Sequence, residues 1–180
     1  LLQAAIEQMR KVVQKYPPLG RVLFKKIHSV LGGHIKYFMS GGAKIDPEII
    51  ERYKSFGIFM FQGYGLTETS PVISFTAFGQ EKFGSVGRPV ASLKVKIEGE
   101  NKDEGEICVQ GPNVFKGYFE NEAATKEVIK DGWFHTGDIG RLDEEGFLFI
   151  TGRKKDLIVT PNGKNIYPEK FYGEITISGW

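Results

Sequence analysis

Ile58-Phe59-Met60-Phe61 runs into Gly63-Tyr64-Gly65-Leu66-Thr67-Glu68-Thr69-Ser70, and the fold turns on what these residues form. Four consecutive apolar residues have the length and composition of a buried strand. The two glycines after it allow a tight turn and a close approach of backbone to a ligand. Two hydroxyls flanking one carboxylate then make a set suited to a phosphate and its divalent cation. The simpler alternative is a glycine-rich turn in which Thr67 or Thr69 caps a short helix.

Moving upstream, Asp46-Pro47-Glu48 is a strong helix start, with an N-cap acid, a proline in the first turn and a further acid beside it. That helix carries Ile49, Ile50 and Tyr53 and should stop at Gly57 in a left-handed conformation. Before it, residues 34–39 read as a strand that runs into the small-residue loop Ser40-Gly41-Gly42-Ala43. Strand, helix and strand with short links form a crossover unit, so the two strands should be parallel. Their carboxyl ends then share one sheet edge, where open α/β sheets bind ligands. Further upstream, Ile6, Met9, Val13 and Tyr16 recur at helical spacing up to a stop at Pro17-Pro18, and a second helix is expected over 21–31.

Downstream the pattern changes near Phe83. Gly84-Ser85-Val86-Gly87-Arg88-Pro89 reads as a turn-rich link, and Leu93, Val95 and Ile97 alternate with Lys94 and Lys96 as a half-exposed strand. Three hairpins come next, turning at 101–105, 143–146 and 161–163, with a short helix over 122–130. The expected class is α/β: a partial parallel sheet layer over 1–83, an antiparallel β-barrel-like subdomain over 84–152, and the start of an α+β domain over 153–180, opened by a helix at Pro168-Glu169.

Composition narrows the function classes. A chain of 180 residues with 41% hydrophobic content can bury a core, and 24 basic against 22 acidic residues give a net charge of +2. That balance gives no argument for an anionic membrane surface or for nucleic acid, and no nucleic-acid partner is expected. Cys108 is the single cysteine, which fits a reducing compartment and reads as a strand position with nothing near it to make it a nucleophile. His28, His34 and His135 are too scattered for a metal-ligand pattern. No apolar run reaches membrane-spanning length and no secretory signal is present. Leu1 falls within an amphipathic helix and Trp180 soon after a new element begins, so a fragment of a longer protein is expected, with an N-terminal part elsewhere in the same chain.

Five stretches in order carry a resemblance: Ser40-Gly41-Gly42-Ala43, Gly63 to Thr69, Gly84 to Pro89, Gly132-Trp133-Phe134-His135-Thr136-Gly137-Asp138, and Gly152-Arg153-Lys154-Lys155-Asp156. Together the chain resembles the adenylate-forming superfamily, most of all its long-chain fatty-acid–CoA ligases. The resemblance covers the chain to about Glu169; residues 171–177 depart from the family's acidic helix. The family's phosphate-gripping loop would precede Leu1, and its adenylation lysine would come after Trp180.

The resemblance implies ATP-dependent, Mg²⁺-assisted activation of a fatty acid as acyl-AMP, and then thioester formation with CoA. Glu68 would hold the Mg²⁺ and the Thr67 hydroxyl the α-phosphate. Tyr64 would lie against adenine, with Gly41, Gly42, Ala43, Gly63 and Gly65 leaving room for the nucleotide and the acyl carboxylate. Asp138 would accept both ribose hydroxyls, Arg153 would contact the ribose side, Lys155 would be a hinge, and Gly163 would line a CoA channel. Lys154 reads as a surface charge. The alternatives are another carboxylic acid or acceptor (an aryl-CoA ligase or acyl-carrier-protein synthetase) and a non-catalytic nucleotide-binding module. A cytoplasmic location, with or without membrane association through peripheral contact, completes the expectation.

Overall fold

The computed structural model describes residues 8, 11–13, 16–43, 45–101, 104–156, 158–159 and 165–166. The first helical residues, the hairpin tip at 161–163 with Gly163, the helix at Pro168-Glu169 and residues 171–180 lie outside that set.

Backbone is helical at 11–13, with Val13 buried. The proline pair opens a helix as well as closing one: α1 spans Pro17–Leu23. A proline in the first turn costs nothing, because its missing N–H would have no partner there. The single helix expected over 21–31 is interrupted at Phe24 (φ −108, ψ 35) and resumes as α2, Lys25–Val30. Tertiary packing explains the interruption. The Phe24 ring meets Phe56 edge-on at 5.1 Å, and His28 Nε2 lies 2.9 Å from the Phe56 carbonyl oxygen.

β1 (Tyr37–Gly41) begins three residues later than expected. It pairs in parallel with β2 (Phe59–Tyr64), in the register Met39↔Phe61 and Gly41↔Gly63. Between them α3 (Pro47–Ser55) starts as anticipated, the Glu48 N–H donating to Asp46 Oδ1 at 2.8 Å, and Gly57 lies just past its end at φ +77. The parallel crossover unit is therefore present, and it brings the loops after β1 and β2 to one edge. β3 (Ser74–Phe75) and β4 (Arg88–Pro89) extend this sheet antiparallel in the order β1-β2-β3-β4, so it continues past residue 83.

The second sheet is antiparallel: β5 (Lys94–Asn101), β6 (Glu104–Gln110), β8 (Trp133–Leu142) and the short β7 (Ile129–Lys130) in the order β5-β6-β8-β7, with β9 (Leu148–Arg153) also on β8. Helix α4 (Glu122–Val128) feeds β7, and β10 (Ile158–Val159) pairs antiparallel with β11 (Asn165–Ile166). The two sheets share one core, in which Tyr64 and Ile73 pack with Leu93, Ile107, Val109, Phe134 and Leu148. Gly84–Pro89 proves to be more than a link. Val86 N–H donates to the Leu148 carbonyl at 3.0 Å and Leu148 N–H to the Gly87 carbonyl at 2.9 Å, which stitches β9 to the first sheet. Among the described residues no helix is long and apolar enough to cross a membrane.

The turn after β2 has no space for a side chain at Gly65. The chain folds back so that Ile73 N–H donates to the Tyr64 carbonyl at 2.8 Å, and a Cβ on Gly65 would stand 1.7 Å from the Pro71 carbonyl oxygen. Gly65→Ala is expected to destabilise the protein by about 2–3 kcal/mol, as overpacking against backbone does. Urea unfolding would measure this, and a change within about 0.5 kcal/mol, typical of an open surface position, would contradict the packing.

Candidate functional site

A cavity of about 370 Å³ opens where the loops after β1 and β2 meet the second sheet. Ser40, Gly42 and Ala43 form one side, Gly63, Tyr64 and Gly65 the next, and Asp138 with Gly152 and Arg153 the third. The first two stretches meet as the parallel crossover requires, and the second sheet brings the third against them.

Asp138 reaches this cavity because β8 is bulged. Glu106 pairs with Ile139 and Cys108 with His135, so two steps on β6 face four on β8. The extra residues lie at 136–138, and Gly137 takes the positive φ (+74) that the bulge needs. Thr136 Oγ1 donates to the Ile107 carbonyl at 2.8 Å and accepts from Asp138 N–H at 3.1 Å, while Gly137 N–H donates to Glu106 Oε1 at 3.1 Å.

The Asp138 side chain is almost fully buried. Tyr64 Oη donates to its Oδ2 at 2.7 Å, and Arg153 Nε donates to its Oδ1 at 3.0 Å. Burial pushes the Asp138 carboxyl above the ordinary carboxylate range, and the Tyr64 hydroxyl and the Arg153 guanidinium only partly offset this. The same burial, with Asp138 beside it, drives the Tyr64 phenol far upward, so it remains a donor at all physiological pH. A buried carboxyl facing a cavity, its charged form disfavoured by that burial, is suited to a ligand that brings hydrogen-bond donors.

Thr67 and Glu68 lie on the short 3₁₀ turn Thr67–Thr69, beside the cavity but not on its wall. Glu68 Oε1 accepts from Tyr118 Oη at 3.0 Å, and the Glu68 carbonyl accepts from Phe115 N–H at 2.8 Å. Thr69 does what the simpler reading of the turn asked: its Oγ1 accepts from Leu66 N–H at 3.1 Å and closes the turn. Gly41 lies behind the wall, where a side chain would stand 3.4 Å from the Gly63 carbonyl oxygen. Lys155 is exposed on the 3₁₀ turn Lys154–Asp156.

Three side chains differ from their sequence reading. Lys154 is more than a surface charge, since its Nζ donates to Glu106 Oε2 at 2.9 Å. Cys108 is not isolated, because its Sγ lies 3.4 Å from His135 Nδ1. His135 is correspondingly not a scattered histidine. The role of Glu106 has only a weak signal in the sequence, an acid directly before the apolar run Ile107-Cys108-Val109. Glu106 holds the bulge at Gly137 and the residue after Arg153, so it positions Asp138 and Arg153 without reaching the cavity.

The protein-family model for AMP-binding enzymes matches residues 3–119. Long-chain-fatty-acid–CoA ligase FadD15 of Mycobacterium bovis is 44% identical over 154 residues, which is 86% of this chain and 25% of that protein. The 2-succinylbenzoate–CoA ligase of Bacillus cytotoxicus is 43% identical over 141 residues, 74% of this chain and 29% of that one. Among solved structures, O-succinylbenzoate coenzyme A synthetase from Bacillus subtilis, in complex with ATP and magnesium ion, superposes with a TM-score of 0.71 at 39% identity, covering 79% of this chain and 31% of the other. The chain spans about a quarter of the length of the FadD15 relatives it matches.

Glu106 supplies a pH test. Burial alone would raise its carboxyl, but the Lys154 ammonium and the His135 ring hold it below the ordinary glutamate range. A lowered folded value means stability that is present above the unfolded value and lost as pH falls through the folded one. Glu106→Gln is expected to cost about 1–3 kcal/mol from neutral pH down to about pH 5 and progressively less below about pH 4.5, where the unfolded chain begins to take up the proton. Urea midpoints across that range would measure it, and a pH-independent cost would remove the carboxylate from the network.

Proposed function

The chain belongs to the AMP-binding enzyme family, and on that premise we propose that the whole protein is an AMP-forming acid–thiol ligase. It activates a carboxylic acid with ATP as an acyl-adenylate and passes the acyl group to CoA. The observation that carries this reading is the buried Asp138 carboxylate on a cavity whose opposite wall is the backbone of the loops after β1 and β2.

The residues fit the parts of a nucleotide. Asp138 would accept from the two ribose hydroxyls, in place of or beside the Tyr64 hydroxyl that it binds here. Arg153 would meet the ribose from the open side. Tyr64 and the glycines of the neighbouring loops form a wall thin enough for a flat base to lie on. Glu68, a hard oxygen donor steadied by Tyr118, would hold Mg²⁺, and Thr67 would bond the α-phosphate. When bound, the ion supplies neutralisation of charge on the phosphate oxygens. Arg153 and Asp138 orient the nucleotide, which accounts for part of the barrier as positioning.

The remaining expectations extend this proposal. Residues 1–83 would belong to the α/β part of the large domain, whose sheet β4 extends to Pro89, the rest of 84–152 to its antiparallel part and 153–180 to the start of a mobile domain that turns about Lys155. Gly163 would face the CoA channel after that turn. For the acid we favour a long-chain fatty acid, supported by the similarity to FadD15. A second reading, an aryl acid, is favoured by the similarity to the succinylbenzoate enzymes.

Two charge-assisted hydrogen bonds at about 1.5 kcal/mol or more each amount to about 100-fold in nucleotide use. Asp138→Ala in the full-length protein is therefore expected to lower ATP–pyrophosphate exchange about 100-fold, and an unchanged rate would remove Asp138 from the site. Exchange across an acid panel is expected with palmitate. Exchange with benzoates and none with palmitate would move the substrate to the aryl class.

A further inference from the structure

Cys108, His135 and Glu98 stand far apart in the chain, but strand pairing brings them together. Cys108 pairs directly with His135 across β6 and β8, and Glu98 lies on the neighbouring β5, opposite Glu106 and two residues along from the partner of Cys108. They share the face of the sheet that points away from the core, since the intervening Ile97, Ile107 and Phe134 point into it. This cluster lies outside the cavity, at the edge of the bulge.

The spacing of its ligand atoms is informative. Cys108 Sγ lies 3.4 Å from His135 Nδ1 and 3.7 Å from Glu98 Oε2, and those two lie 3.5 Å apart. All three fall within the 4.8 Å that one ion can span. Zinc bond lengths of about 2.3 Å to sulfur, about 2.05 Å to nitrogen and about 2.0 Å to oxygen, at a tetrahedral angle, place those pairs about 3.6, 3.5 and 3.3 Å apart. The observed triangle matches that shape to within about 0.2 Å.

The proton count points the same way. His135 Nδ1 has one proton at most, yet Cys108 Sγ, Glu98 Oε2 and Glu106 Oε2 (3.2 Å) all converge on it. Neighbouring cations leave the inward oxygen of Glu98 to the cluster: Lys96 Nζ takes Glu98 Oε1 at 3.0 Å, and Lys154 Nζ takes Glu106 Oε2 at 2.9 Å. Cys108 is fully buried, whereas Glu98 is half exposed and leaves a route for an ion to enter.

We propose that Glu98, Cys108 and His135 form a three-ligand site for a thiophilic divalent cation, Zn²⁺ above others, with the fourth position open to water. Glu106 hydrogen-bonds around the site and ties it to Gly137 and Lys154, so an occupied site would brace the strand that carries Asp138. A sulfur–nitrogen–oxygen set selects Zn²⁺ or Co²⁺ over Mg²⁺, which keeps it apart from the ATP-bound ion. Burial and the two nearby carboxylates push the Cys108 thiol up to about 12, so binding must release its proton to solvent. The proposal is independent of the ligase reading.

Co²⁺ titration of the metal-free, full-length protein in excess Mg²⁺ tests it. The expected result is a near-ultraviolet thiolate–cobalt charge-transfer band that Zn²⁺ bleaches and Cys108→Ser abolishes. Co²⁺ affinity should rise about tenfold per pH unit, as one proton is displaced. If Cys108→Ser does not fold, Glu98→Gln at the exposed edge decides the matter, with Co²⁺ affinity falling about tenfold or more. Absence of the band, a band that survives Cys108→Ser, or an affinity unmoved by Glu98→Gln would overturn the site.

Discussion

The carboxylate of Asp138 is the constraint on which the two halves of this structure depend. A charge placed in a mostly apolar seam needs partners, and it recruits them from both sheets. Tyr64 comes from the end of β2 in the first sheet and Arg153 from the end of β9 in the second. The seam is closed elsewhere by Ile73, Leu93 and Leu148 and by the backbone bonds of Val86 and Gly87. These apolar and backbone contacts supply the stability from which the Asp138 carboxyl, raised by burial, subtracts. A site that costs the free protein stability and can regain it from a ligand's hydroxyls is what a binding cavity requires.

The bulge in β8 converts that constraint into geometry. In a regular strand, alternate side chains point to opposite faces, and Asp138 would take its place after His135 and Thr136 in that alternation. The two additional residues within 136–138 leave that alternation in phase but lift the stretch out of the ladder with β6, and Glu106 keeps the excursion in place by accepting from Gly137 N–H. The same glutamate pairs with Lys154, so the carboxylate that shapes the bulge also anchors the chain just after Arg153.

Much of this was legible in the sequence where the signal is local. The crossover of β1, α3 and β2 could be read because Asp46-Pro47-Glu48 and Gly57 punctuate the helix through their own backbone chemistry. The cavity came with it, because parallel strands put Gly42 and Gly63 on one edge whatever else the chain does. The failures are all tertiary. Phe24 interrupts a helical pattern because Phe56 is there. Cys108 and His135 are 27 positions apart and become neighbours only through a register that the β8 bulge itself shifts, so no spacing rule could have paired them. Lys154 looked like one of three consecutive surface cations, and only the burial of Glu106 distinguishes it.

Arg153 and Lys154 are consecutive yet reach opposite sides of β8, the first to Asp138 at the cavity and the second to Glu106 behind it. The chain is therefore clamped front and back at the end of β9 by two carboxylates, each held in turn by the bulge. Lys155 is the next residue, exposed, on a tight turn. A residue that absorbs a backbone rotation works best immediately beyond a fixed point, because the turn is then not dissipated along the strand. If the C-terminal segment swings about Lys155, the Lys154–Glu106 pair keeps that motion from pulling Arg153 off Asp138. The clamp would thus matter most in whichever step the nucleotide must stay seated while the rest of the chain moves.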